Sequence, residues 1–136
     1  MRTVFADAGY WIALINPSDD LHHRAKSVSA ALSPLRLVTS EMVLTEVLNS
    51  FSRKGSGLRK TTIDLIQDIK TDETIEVIPQ TSELFNEALR LYEERPDQAW
   101  SQTDCASFHI MQQRKLLEAL THDRHFEQVG FIALLR

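Results

Sequence analysis

Residues 3–9 read TVFADAG: an apolar run, a carboxylate, and two small residues. Thr3–Ala6 has the β-branched and aromatic content of a short strand, and it runs directly into Asp7. Ala8-Gly9 permits a tight turn, after which Tyr10–Ile15 continues as a helix that Asn16-Pro17 stops. A strand that presents a carboxylate at its end and passes at once into a helix is the first unit of an alternating chain.

The alternation continues outward. Asp19 or Asp20 can start a second helix through about Leu32, closed by Ser33-Pro34, and Leu35–Val38 reads as a second strand. Thr39 or Ser40 then caps a helix whose apolar stripe is Leu44, Val47, Leu48 and Phe51, an i, i+3, i+4, i+7 pattern. The basic segment RKGSGLRK (Arg53–Lys60) separates it from a helix with Thr62, Leu65, Ile66 and Ile69 at the same spacing, Thr62 being its weakest member. Ile75–Ile78 is a third strand, ended by Pro79. Ser82 caps the next helix, with Leu84, Phe85, Ala88, Leu91 and Tyr92 expected on its core face, and Arg95-Pro96-Asp97 breaks it. Ser101 or Thr103 begins a helix through about Lys115, Glu118–Thr121 is a fourth strand delivering Asp123, and Phe131–Leu135 a fifth. Strands separated by helical segments predict an α/β sandwich around a mostly parallel sheet, in which ligands bind beyond the carboxyl ends of the strands.

At 136 residues, without repeat or linker, the chain reads as one domain, residues 1–136. No stretch approaches the roughly 18 consecutive apolar residues of a membrane span, and MRTVFADAG lacks the features of a signal peptide, so a cytoplasmic protein with no membrane partner is expected. A single cysteine, Cys105, forms no internal disulfide and reads as a small buried hydrophobe. The net charge of -4 argues against a protein that coats DNA non-specifically, but leaves open a nucleic-acid enzyme whose local charge and bound metal govern contact.

Four acidic residues stand beside apolar runs: Asp7, Glu46, Asp104 and Asp123. Each has a local alternative. Asp7 can cap a helix, and Glu46 can lie solvated on its helix near Arg53. Asp104 completes the S-x-x-D capping pattern begun by Ser101, and Asp123 can cap a short helix or pair with Arg124. Four separate caps need not meet, whereas the α/β topology brings these four toward one edge. Converging carboxylates repel one another and call for hard divalent cations, Mg²⁺ or Mn²⁺, which prefer oxygen ligands.

These segments resemble the PIN-domain nucleases, in particular the VapC-like toxins of toxin–antitoxin pairs. The likeness covers nearly the whole chain: VFADAGYWIALINPSDDLHHRA, VTSEMVLTEVLNSF, WSQTDCASFHIM and ALTHDRHFEQVGF match the four acidic motifs in order. The resemblance implies a three-layer PIN-like sandwich with helices flanking the sheet, and a metal-dependent endoribonuclease that hydrolyses RNA with metal-activated water. Asp7, Glu46 and Asp104 become the central catalytic and metal-holding residues, with Asp123 a more variable fourth. It also implies a separately encoded antitoxin and a homodimer. One departure is visible: the family often carries a serine or threonine within two residues of the first aspartate, where this chain has Ala8-Gly9. Thr103, Thr39 and Thr121 remain as hydroxyl donors to the site. The departure motivates a second reading, a catalytically weak or inactive PIN-like RNA-binding or scaffold protein.

Arg53, Lys54, Arg59 and Lys60 form either a solvated inter-helix loop or a phosphate-contacting one. His122 and His125 flank Asp123, but no Cys/His pattern completes a zinc site, and Arg124 is open to phosphate contact or a salt bridge. Trp11 and Phe108 are expected in the core, and Trp100 is the better candidate for contact at the site's rim.

Overall fold

The computed structural model describes residues 1–136 and contains five strands and seven helices. In chain order they are β1 (Arg2–Ala6), α1 (Ala8–Ile15), α2 (His22–Leu32), β2 (Leu35–Ser40), α3 (Glu41–Phe51) and α4 (Ser56–Thr71). There follow β3 (Ile75–Ile78), α5 (Ser82–Glu94), α6 (Gln102–Gln113), β4 (Glu118–Leu120), α7 (Arg124–Val129) and β5 (Ile132–Ala133). The sheet order is β3-β2-β1-β4-β5 and every pairing is parallel. β1 is central, in register with β2 from Arg2↔Leu35 to Phe5↔Val38 and with β4 at Phe5↔Ala119 and Ala6↔Leu120.

Neighbouring residues of a strand point to opposite faces, and Val4 and Phe5 are both fully buried, so both faces of the sheet are covered. That produces the three layers and explains why the buried end of β1, Val4–Ala6, is apolar at consecutive positions. The core continues through Trp11, Val43, Val47, Phe108 and Phe126; Phe108 packs edge-on against both Trp100 and Phe126.

Several local expectations are corrected. Ala8 and Gly9 are inside α1 rather than in a turn, because Asp7 alone, extended at φ -88 and ψ 166, makes the passage from strand to helix. α2 starts at His22; Asp19 instead closes the preceding turn, its Oδ1 accepting from Leu21 N at 2.9 Å. Thr81, not Ser82, caps α5 by accepting from Leu84 N. Thr62, expected as the weakest member of its stripe, keeps that place: it is almost fully buried, its hydroxyl donating to the Leu58 carbonyl at 2.7 Å.

On α5, Leu84, Ala88 and Leu91 form the inward stripe, while Phe85 and Tyr92 are 40% and 52% exposed. Each stands one residue, about 100° of rotation, beyond that stripe. Leu48 is likewise exposed on α3. Together with Leu89, Phe85 and Tyr92 leave an apolar strip on the outer side of α5.

Candidate active site

With all strands parallel, their carboxyl ends share one edge. The chain moves outward from β1 to β2 and β3, then returns to place β4 on the other side of β1. The β1/β4 junction is therefore the topological switch point, where crossovers diverge and a cleft opens. Asp7 leaves β1 there, Asp123 follows β4, Glu46 lies in the second turn of the helix after β2, and Asp104 lies in the first turn of α6. All four line one cleft of about 560 Å³.

Asp7 is only 9% exposed. It occupies the N-cap position of α1 but makes no side-chain capping bond; its Oδ2 accepts from the Thr121 hydroxyl at 2.9 Å, across the junction. Burial pushes its pKa up to about 7. The Ala8 amide and Thr121 hydroxyl oppose that rise, while the charges of Asp104 and Glu46 add to it. Glu46 is also raised, first by burial and then by Asp104 and Asp123, with the Thr103 hydroxyl opposing. The carboxylates of Asp7, Glu46, Asp104 and Asp123, carried by four segments, thus act on one another.

Asp104 and Asp123 serve as caps as well as members of the cluster. Ser101 Oγ accepts from Asp104 N at 3.0 Å and Asp104 Oδ2 accepts from Ser101 N at 3.1 Å, a complete capping box. Asp123 caps α7 by accepting from His125 N at 2.8 Å. The alternative pairings of Glu46 with Arg53 and Asp123 with Arg124 do not form. No lysine or arginine forms an ion pair with any of the four acids.

The missing hydroxyl after Asp7 has a substitute in Thr121, 114 positions away, and Thr103 acts on Glu46. Thr39 does not serve the site: it donates to the Ala6 carbonyl at 2.9 Å and accepts from Trp11 Nε1. Trp100 is 6% exposed, its indole N–H donating to Gln128 Oε1 at 3.0 Å, so it belongs to the core and not to the rim. Cys105 is fully buried, and burial assisted by Asp104 raises its thiol to about 11, far from a thiolate nucleophile.

His125 is the site residue that sequence reasoning passed over. Its Nδ1 lies 3.2 Å from Asp104 Oδ2 and 3.4 Å from Asp123 Oδ1. The signal was the D-R-H spacing: a residue two after a helix cap sits in the first turn beside the cap's side chain. His122 is exposed, so the two histidines do not form a pair around one ion.

The basic segment divides. Arg53 and Lys54 lie in the α3–α4 turn and make no ion pair. Arg59 and Lys60, expected in that loop, are in α4, which begins at Ser56. Arg59 donates to the Ser52 carbonyl at 2.8 Å, and Lys60 pairs with Asp64 at 3.4 Å.

Asp104, Asp123 and His125 bring ligand atoms within 4.8 Å of one another, while Asp7 and Glu46 line the same cleft outside that group; the carboxylate-rich lining suits a hard divalent cation. A tetrahedral nitrogen–sulfur set for zinc is absent. A larger groove of about 1140 Å³ beside it, lined by Phe85, Leu89, Tyr92 and Trp100, carries no such cluster.

Residues 4–132 match the family model described as PIN domain. The chain is 27% identical over 129 residues to the 23S rRNA-specific endonuclease VapC20 of Mycobacterium tuberculosis, covering 95% of each chain. The crystal structure of that organism's VapC20, described as a Sarcin-Ricin loop cleaving toxin, superposes with a TM-score of 0.84 at 25% identity, covering 95% of this chain and 96% of the other. VapBC2 from Rickettsia felis, solved bound to a DNA fragment from their promoter, superposes with a TM-score of 0.63 at 14% identity and 96% coverage of each chain, a likeness of fold. No helix is long and apolar enough to cross a membrane.

Proposed function

The chain belongs to the PIN-domain family, and from that premise we propose that it is an endoribonuclease of the VapC type, the toxin of a toxin–antitoxin pair, acting as one PIN-like domain over residues 1–136. The observation that carries this reading is the acidic cleft: four carboxylates from four elements line it, and no lysine or arginine pairs with any of them. Such an array is stable when a divalent cation occupies it, and Mg²⁺ or Mn²⁺ suits its oxygen donors.

Asp7, Glu46 and Asp104 would hold the cation, with Asp123 completing the set from the β4 side. The bound ion would supply Lewis acidity toward a phosphoryl oxygen and lower the pKa of water for attack on the phosphodiester. Thr121 fixes the Asp7 carboxylate through Oδ2, and the capping box fixes Asp104. The cleft's negative charge repels an RNA phosphate, so exposed cations outside it have to bring the strand in.

Arg53 and Lys54, in the turn that follows the Glu46 helix, form no ion pair and are free to do so. Changing Arg53, Lys54, Arg59 and Lys60 together to Gln is expected to lower the salt-dependence slope of RNA binding by about 1–2, because only the first two are without protein partners. Unchanged affinity and slope in a fluorescence titration would remove the segment from the RNA path.

The direct test is sequencing of RNA ends made by purified protein. Cleavage at discrete positions is expected with Mg²⁺ or Mn²⁺ and none with chelator. Attack by water leaves no 2′,3′-cyclic phosphate, which attack by the RNA 2′-hydroxyl would leave. Ala8-Gly9 motivated a second reading, a scaffold that binds RNA without turnover; metal and RNA binding with no cleavage across varied metals and RNAs would favour it.

For partners, the reading implies a separately encoded antitoxin, sought first as a small reading frame immediately upstream. A homodimer suits the exposed apolar strip of α5. Cytoplasmic location follows from the same reading, since its substrate is cellular RNA.

A further inference from the structure

We propose that His125 is a positioning residue of the acidic cleft: it ties Asp104 to Asp123, its ring Nδ1–H bonding the first and its backbone N–H the second, and thereby sets which oxygen of each faces the cation. This inference rests on the metal-site reading above.

The hydrogen bonds divide each carboxylate into a committed and a free oxygen. Asp104 Oδ2 accepts from Ser101 N and stands 3.2 Å from His125 Nδ1. Asp123 Oδ1 accepts from His125 N and stands 3.4 Å from the same ring nitrogen. Asp104 Oδ1 and Asp123 Oδ2 take no hydrogen bond from the protein. One residue therefore engages two acids that are 19 positions apart and sit at the starts of different helices, its backbone bonding Asp123 and its ring bonding Asp104 while lying 3.4 Å from Asp123.

The backbone that carries the ring is held. Asp123 caps α7 through the His125 N–H, so this backbone cannot shift without loss of the cap bond. Phe126, the next residue, is fully buried against Phe5 and Phe108, which anchors that turn in the core. The second ring contact, at 3.4 Å, is not a hydrogen bond; its effect is electrostatic, placing the N–H dipole beside a second like charge. A carboxylate with one oxygen tied down rotates less, so less rotational freedom is lost when the free oxygen meets an ion. Nδ1 cannot both hold these oxygens and ligate the ion. The alternative, His125 as a direct ligand through Nδ1, therefore predicts different chemistry.

The test uses the full chain without RNA, so that its failure is separable from failure of the ribonuclease reading. Mn²⁺ affinity is measured by calorimetry for wild type, His125→Asn, His125→Gln and His125→Ala, with melting curves in chelator to establish folding. The Asn side-chain nitrogen falls near the Nδ1 position, whereas that of Gln falls near Nε2. Expected is a loss of about 10- to 100-fold for Ala and Gln, as for groups that orient metal ligands, and a loss within about threefold for Asn.

Equal weakening by Asn and Ala overturns the proposal, as does an Ala variant with wild-type affinity. Should a variant fail to fold, wild type alone decides: pulsed electron paramagnetic resonance of the Mn²⁺ complex is expected to show no directly ligated ¹⁴N. A directly bound imidazole nitrogen overturns it.

Discussion

Asp7→Asn and Asp104→Asn are each expected to reduce metal-dependent RNA cleavage by at least about 10²–10³-fold, the scale on which removal of a single electrostatic stabiliser acts in an active site. Asparagine is almost the same shape as aspartate, so the change isolates charge and donor character. At position 7 the amide oxygen still accepts from the Thr121 hydroxyl, and at position 104 it still accepts from Ser101 N. What disappears is one negative charge and one of two equivalent oxygens, replaced by an NH₂ that cannot ligate a cation. The fold should therefore persist, as circular dichroism would show.

Asp123→Asn should cost less, because Asp123 is the more exposed member and its capping bond from His125 N survives the exchange. Cleavage of an end-labelled RNA in Mg²⁺ and in Mn²⁺ ranks the three variants. Full activity in both Asp7→Asn and Asp104→Asn would reject the assignment of this cleft as the active site.

The second large effect runs in the opposite direction. Without metal, at pH 8, Asp7→Asn is expected to stabilise the protein by on the order of 4 kcal/mol, or about 10 °C or more in melting temperature. The sign follows from Asp7's environment. Its folded pKa is raised from 3.8 to about 7 by burial, so the folded state binds the proton more tightly than the unfolded chain. Below about pH 4 both states are protonated and Asp7 imposes no penalty. Between about pH 4 and 7 the unfolded state ionises while the folded state resists, and stability falls as pH rises. Above the folded pKa the penalty is complete. Asparagine has no such penalty, so the variant's advantage should be near zero at pH 4 and greatest at pH 8.

Saturating Mg²⁺ or Mn²⁺ should narrow that advantage, since an ion that binds only the folded wild-type site stabilises it by mass action. Calorimetric melting at pH 4, 6 and 8, with chelator and then with metal, measures both parts. An advantage independent of pH would mean that Asp7 is not held in the buried, mutually repelling cluster described above. Loss of activity combined with gain of stability at one residue is what a site strained for function produces.

Much of this was legible in the sequence because it is local. TVFAD is a buried strand whatever surrounds it, since its apolar run has no polar face to give to solvent. The S-x-x-D pattern at Ser101–Asp104 yields the capping box because both partners lie within one helical turn. The alternation of strands and helices permits few topologies, and right-handed parallel crossovers bring the strand ends to one edge. From those constraints the four acids could be placed together without coordinates.

Other features depended on contacts that no local pattern encodes. Whether Phe85 and Tyr92 are inside turns on which side of α5 meets α6, a rotation of about 100° per residue that the apolar pattern left open. Trp100 looked like a rim residue because it precedes an acidic helix; its burial depends on Gln128 and Phe108, far along the chain. Arg59 and Lys60 looked like free loop charges until a helix began at Ser56 and gave each a partner.

The sequence by itself thus determined an alternating α/β chain that carries carboxylates to the ends of its strands, because short-range burial and capping decide those elements. Only the tertiary structure decided how the carboxylates are held. Thr121 reaches Asp7 across 114 residues, and His125 stands between Asp104 and Asp123. Hydrogen bonds of that range exist only after the parallel register of β1 and β4 is formed, and it is the register, not any one motif, that converts separate acids into one site.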